Sequence, residues 1–393
     1  MKLREISIRG FKCFGALDLP VASLTVLSGF NASGKSTALQ SLLLMAQGLR
    51  TSPYAAHLPL NGPLVRLGTA GDVVARGFKG QVEFAFSSEQ NKARWCFRTH
   101  GATDLAEGLE GESGDRERLS LIEQASGIVN PKPAFGSQRI RPYALDDDPW
   151  LDALRDIIFL GATRNSQLDV YPSPDDAEPI HADVGFEGQY AAWWYARSAD
   201  NEVPPPRRHP KDPRITMRAQ VDAWLGDLFP TAEASAETVR GAALTKLVFR
   251  MGRSSEWLRP ANIGYGLSYA FPLIVALLAA REGQIVVVDS PEAHLHPRAQ
   301  SRMGQMLAHF ATVGIQILVE THSDHVLSGI RLAVRNRLLD PNEVAIHFFS
   351  GAKGEAESGV VSPLIDVNGS LSAWPEGFFD QADNDLMELT QPA

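Results

Sequence analysis

Apolar and polar residues alternate over LREISIRGF (residues 3–11), the period of a strand with one buried face. The apolar run LTVLSG (24–29) predicts a second strand, which leads into GFNASGKS. Beyond Ser36, the positions Ala38, Leu39, Leu42, Leu43, Met45 and Ala46 recur at helical spacing, and Gly48 is the expected stop. Residues 60–90 read as loops and sheet. Over 91–234 glycine, proline and charge rise and periodicity fades, most clearly in GLEGESGDRERLS and NEVPPPRRHPKDPR. Helix is expected there around GFEGQYAAWWYARS, and a mobile loop around the prolines.

Regular patterning returns at AALTKLVFRM and continues through an apolar helical stretch at 267–280. The four aliphatics of GQIVVVDS (283–290) predict a strand buried on both faces, as in a parallel sheet. HPRAQSRMGQMLAHFATVG predicts a helix with Pro297 in its first turn and Met303, Met306, Leu307 and Phe310 on one face. IQILVETHS is one more strand. Alternating strands and helices at both ends of the chain imply an α/β fold with a mainly parallel sheet. The expected organisation is one domain from 1–90 and 235–393, carrying a partly helical insertion at 91–234.

Composition narrows the class without changing that picture. The 393 residues are 44% hydrophobic and 21% charged with net charge −9, the balance of a water-soluble globular protein rather than of a general polyanion binder. Cys13 and Cys96 lie far apart, the opening MKLREISIRGFKCFG lacks an apolar signal core, and the run at 269–280 is too short to cross a bilayer. A cytosolic chain without a membrane partner is expected.

GFNASGKS fits G-x-x-x-x-G-K-[ST] at Gly29, Gly34, Lys35 and Ser36. Glycines let the backbone N–H groups converge on phosphate oxygens, and the following helix turns its positive end to the same place. Lys35 reaches the outer phosphates and the Ser36 hydroxyl can ligate Mg²⁺, so ATP with magnesium is the expected ligand. Asn31, Ala32, Ser33 and Thr37 complete the cradle. The second carboxylate such a site needs is Asp289, at the C-terminal end of IVVVD, where open α/β sheets bind ligands. A different reading gathers Glu292, His294, His296, His322, Asp324 and His325 into a metal site of a metal-dependent hydrolase.

These motifs carry a resemblance. ISIRGFKCFGALDLP with LTVLSGFNASGKST is similar to the start of the P-loop ABC-type ATPase heads of the SMC, RecF and OLD proteins. IGYGLSYAFPLIVALLAA, VVVDSPEAHLHPRAQ and LVETHSDHVL resemble their signature segment, Walker B with its D-loop, and switch histidine. The ending LIDVNGSLSAWPEGFFDQADNDLMEL resembles a C-terminal domain of unknown function attached to bacterial AAA-family ATPases of this kind. The resemblance implies that Lys12 touches nucleotide, that His322 senses the γ-phosphate, and that Gly264, Gly266 and Ser268 close the site of a second copy. A homodimer or higher even oligomer is therefore expected. Where such heads place a catalytic Glu after the Walker B Asp, this chain has Ser290. Slow hydrolysis follows, unless Glu292 orients the attacking water. Two biological settings remain open: the ATPase or sensor subunit of an antiviral defence system with a separate nuclease or toxin effector, and a RecF- or SMC-like DNA-repair or chromosome-maintenance clamp. Contact with DNA or RNA is an expectation of the second and is possible in the first. Arg164 reads as a surface arginine.

Overall fold

The computed structural model describes residues 2–78, 80–99, 119–128, 139–141, 148–165, 167–176, 178–351, 359–379 and 381–390. The chain divides into two compact units: residues 1–22, 29–157 and 349–361 in the first, and 23–28, 158–348 and 362–393 in the second. The stretch 91–234 is thus shared between them.

The first unit is built on strands β1 (Glu5–Phe11) and β2 (Phe14–Pro20), which pair antiparallel as their alternation suggests. With β4 (His57–Leu58), β5 (Gln81–Ser87), β6 (Asn91–Thr99) and β7 (Leu119–Ile128) they form a sheet in the order β2-β1-β5-β6-β7-β4. Its core includes Phe11, Phe84, Phe86, Trp95 and Phe97, all buried, with Phe11 edge-on to Phe84 at 5.0 Å. Helix α1 (Lys35–Thr51), the short α2 (Ala70–Val73), α3 (Pro149–Arg155) and β15 (Val360–Val361) belong to the same unit. Gly48 does not stop α1. It lies within the helix, where a Cβ would press on Ile140 and Leu58 at 3.1 Å, so the glycine serves close packing.

The second unit holds the parallel sheet. Strands β3 (Leu24–Gly29), β8 (Ile158–Leu160), β12 (Ile285–Asp289) and β13 (Gln316–Glu320) run parallel in the order β3-β13-β12-β8, with β14 (Val344–Phe349) beside β3. β12 and β13 are apolar runs because both faces are covered, Ile285–Val288 and Ile317–Val319 being buried throughout. A small antiparallel sheet joins β9 (Val170–Pro172), β10 (Ala232–Thr238) and β11 (Leu244–Met251). Around them pack α4 (Ala191–Ser198), α5 (Met217–Leu228), α6 (Tyr265–Ala279), α7 (Pro297–Thr312) and α8 (Asp324–Arg335), and α9 (Gln381–Thr390) follows with residues 385–390 exposed. The apolar face expected on α7 is buried as Met303, Met306, Leu307 and Phe310. α6 is apolar almost all round and its residues 270–278 are buried.

The proline-rich segment is not a free loop. Arg208 Nε donates to Val203 O (2.8 Å), Trp224 Nε1 to Arg207 O (3.4 Å), and His209 Nε2 lies 3.0 Å from Asp227. GLEGESGDRE and the Arg118 that follows it lie outside the described residues. No described helix is long and apolar enough to cross a membrane.

Candidate nucleotide site

In the first unit the chain leaves Gly29, turns through residues 30–34 and enters α1 at Lys35. Two backbone positions in this turn require glycine. Gly29 sits at φ 137° with Phe349 O 2.1 Å from where a Cβ would be, and Gly34 at φ 106° with the Phe14 ring at 2.4 Å. Ala32 takes a left-handed φ of 60° between them. Lys35 is only 3% exposed and folds its ammonium back into the turn, donating to Gly29 O (3.1 Å) and Phe30 O (2.7 Å). Ser33 Oγ donates to the same Phe30 carbonyl at 2.7 Å. Asn31, Ala32 and Ser36 are exposed and Thr37 half-buried.

Helix α1 has no side-chain cap and no acid in its first turn, and its first internal bond runs from Ala38 N to Gly34 O. Its positive end is therefore left for an outside anion. Lys12, at φ 53°, donates Nζ to Gln40 Oε1 (2.8 Å), and burial lowers its pKa below the usual lysine range. The turn, the buried lysine and the uncapped helix fit a phosphate chain.

In the second unit, Asp289 ends β12 half-buried, and Ser290 at φ 49° turns the chain sharply. Ser290 Oγ donates to Asp289 Oδ1 (2.8 Å), and Ser290 N donates to Glu320 O (2.9 Å). Glu292 reaches the loop after β13: Oε2 accepts from Thr321 Oγ1 (2.8 Å) and Oε1 from His322 N (2.9 Å). The His322 ring is on an exposed residue. His294, at φ 60°, stacks on Tyr265 (5.1 Å) and meets Tyr269 edge-on (4.6 Å), binding the turn after β12 to the start of α6. His296 caps α7, accepting from Arg298 N at 3.3 Å. Among the described residues no group of three or more His, Cys, Asp or Glu side chains is placed to hold a metal ion.

Gly264 precedes α6 at φ 96° and is exposed, while a Cβ on Gly266 would meet His294 O at 2.7 Å. Ser268 is 4% exposed, and its Oγ has no hydrogen-bond partner among the described residues. Of these three positions only Gly264 is exposed, while Gly266 is half-buried and Ser268 is buried.

Arg164 is not a surface residue. It is 4% exposed and donates to four carbonyls: Gly161 (3.1 Å), Tyr269 (3.0 Å), Asp289 (2.8 Å) and Ser290 (3.4 Å). Burial brings its pKa down to about 10, resisted by the nearby Asp289 charge, so it stays cationic at neutral pH. One guanidinium thus ties the end of β8 to α6 and to the turn carrying Asp289. The sequence signal was weak: an arginine four residues after an apolar strand. Thr321 was passed over for its neighbour His322.

The sequence profile of a family described as "AAA domain, putative AbiEii toxin, Type IV TA system" matches residues 24–328. A second, "Protein of unknown function (DUF3696)", matches 339–389. No curated protein matches the chain. Similar solved structures include an SMC head bound to the C-terminal winged-helix domain of ScpA, with 12% identity, TM-score 0.48, and 93% of this chain covered against 98% of that one. Another is the SMC head domain from Thermotoga maritima, at 12% and 0.42, covering 93% and 100%. A third is an SMC head with an extended coiled coil bound to the C-terminal domain of ScpA, derived from Pyrococcus furiosus, at 12% and 0.48, covering 99% of each chain.

Proposed function

Because the chain belongs to the family described as AAA domain, putative AbiEii toxin, Type IV TA system, and so is an AAA-type ATPase, we propose that it binds and slowly hydrolyses Mg-ATP, dimerising head to head as the ATPase subunit of a genome-defence system. Its effector is a separately encoded nuclease or toxin. The observation that carries the nucleotide assignment is the turn at 29–34 with Lys35 buried inside it at an uncapped helix start.

Gly29, Asn31, Ala32, Ser33, Gly34, Lys35, Ser36 and Thr37 would hold the phosphates, Ser36 would ligate magnesium, and Asp289 is the carboxylate that the sequence motif assigns to the same metal. When bound, the metal neutralises phosphate charge and polarises the transferred phosphoryl group. Lys35 exchanges its two carbonyl acceptors for phosphate oxygens.

Slow turnover is supported by Ser290. Its aliphatic hydroxyl, which donates to Asp289 Oδ1, is too weak a base to take a proton from water at neutral pH, and an absent base typically costs about 10²–10⁴-fold in rate. Glu292 spends one lone pair of each oxygen on the loop carrying His322, which supports a role in holding that loop and orienting water. Gly264 and Gly266 are the signature positions presented to the second copy.

Calorimetry with Mg-ATP, followed by mass measurement with and without nucleotide, tests this reading. Wild-type protein should show a magnesium-dependent site and double its mass, and Lys35→Ala should lose that site and keep its mass. Absence of binding in wild-type protein removes the nucleotide assignment, and binding without a mass change removes the dimer.

A further inference from the structure

In the second unit, a pocket of about 770 Å³ opens between α4, the turn at 203–207 and the C-terminal end of α6. That volume lies in the range of small-molecule sites. Trp193 and Trp194 line it, their rings edge-to-face at 4.9 Å, and the Arg197 guanidinium lies 5.3 Å from the Trp193 ring centre. Arg207 and Arg281 line it as well. Among the described residues none of these three guanidiniums has a hydrogen-bonded or ion-paired carboxylate. Their neighbours differ: Arg208 is paired with Glu202 and Arg214 with Asp212. Arg207 is half-buried, with Glu282 as the carboxylate acting on its charge from a distance.

We propose that this pocket is a second nucleotide site, taking a nucleoside phosphate with its base against Trp193 and Trp194 and its phosphate met by Arg207, Arg197 and Arg281. Indole surface next to uncommitted guanidiniums is the combination that planar, anionic ligands require. The lining also contains Asp176, Glu178, Glu282 and Glu202, the last paired with Arg208, which rules out a bare polyphosphate as the best ligand. Those carboxylates suit ribose hydroxyls and base amino groups. The negative end of α6 opposes an anion, but the Ala279 carbonyl there is taken by His181 Nε2 at 2.9 Å. A cation is disfavoured by the three arginines, one of which already covers Trp193.

The pocket sits at one end of α6 and the signature glycines at the other, joined by a helix buried over residues 270–278. A ligand that orders the last turn of α6 can therefore bias the surface at its first turn. The site does not rest on the Lys35 reading, and its test is run with that cradle disabled.

The probe is AMP, titrated into Lys35→Ala protein by calorimetry and tryptophan fluorescence, with GMP and a 5′-phosphorylated tetranucleotide as parallel arms. One saturable site per chain is expected. Arg207→Ala and Trp193→Ala should each weaken it by about tenfold or more, with unchanged circular dichroism. Arg207→Ala in the wild-type background should leave Mg-ATP binding at the first site unaltered. Preference for the tetranucleotide assigns the site to a strand end, and preference for AMP or GMP to a free nucleotide. No binding of any of the three to Lys35→Ala, binding indifferent to Arg207→Ala, or tighter binding of spermidine than of AMP overturns the proposal.

Discussion

Arg164 is the residue on which most of the second unit's chemistry leans. It puts a charge where almost no water reaches and satisfies it with four backbone carbonyls. Arg164→Met leaves those carbonyls without their donor. Unfolding by denaturant should show a loss of about 2–4 kcal/mol, with ATP turnover falling as the Asp289 turn loosens. Arg164→Lys, with three donors on a thinner stem, should recover only part of each. Gly34→Ala has a different failure. Its Cβ would lie 2.4 Å from the Phe14 ring at a φ of 106°, so the turn must shift, and Mg-ATP affinity measured by calorimetry should fall more than tenfold while the rest of the fold melts nearly as before. For Glu292, steady-state turnover separates two roles. Glu292→Gln keeps an acceptor for His322 N and, if the residue only holds the loop, retains most activity, whereas loss of a water-orienting carboxylate lowers kcat by about 10²-fold or more.

Helix α5 and strand β10 meet at a half-buried acid. Asp222 Oδ1 accepts from Ala234 N at 3.0 Å, and burial, aided by Glu233, pushes its pKa up to about 6. The folded chain then holds this proton at pH values where the unfolded chain has released it. The stability it contributes is complete below about pH 4 and is lost as pH rises through about 6. Asp222→Asn keeps the acceptor without the charge and should raise the melting temperature at pH 7.5, the gain in stability being no more than the ~3 kcal/mol that two pKa units represent. At pH 4.5 the two proteins should melt close together.

Elements with a strong period were readable in advance for a simple reason: β12, β13 and α7 bury the same faces that their apolar residues mark. Gly48 and the proline-rich segment were not. A glycine inside a helix looks like a stop until Ile140 and Leu58 press against it. A run of prolines looks loose until Trp224 and Gln220 hold it from the helix that follows.

For the chain taken entire, the proposed ATP-controlled self-association predicts a nucleotide-dependent change of mass. Light scattering of wild-type protein should show the dimer with Mg-ATP and its slow disappearance as nucleotide is consumed. Gly264→Trp, which fills an exposed signature position with a bulky ring, should block the dimer while leaving ATP affinity within about twofold.

The family, the cradle and the strand that delivers Asp289 follow from local order along the chain. Glycine spacing and apolar runs act over a few residues, and their physical consequences are the same wherever the segment lies. The grip of Glu292 on the His322 loop, the burial of Arg164 against Tyr269, Asp289 and Ser290, and the gathering of Trp193 with Arg281 depend on residues tens to more than a hundred positions apart. Such partners are chosen by packing, because only the folded chain brings them within hydrogen-bonding reach and excludes the water that would otherwise serve each of them.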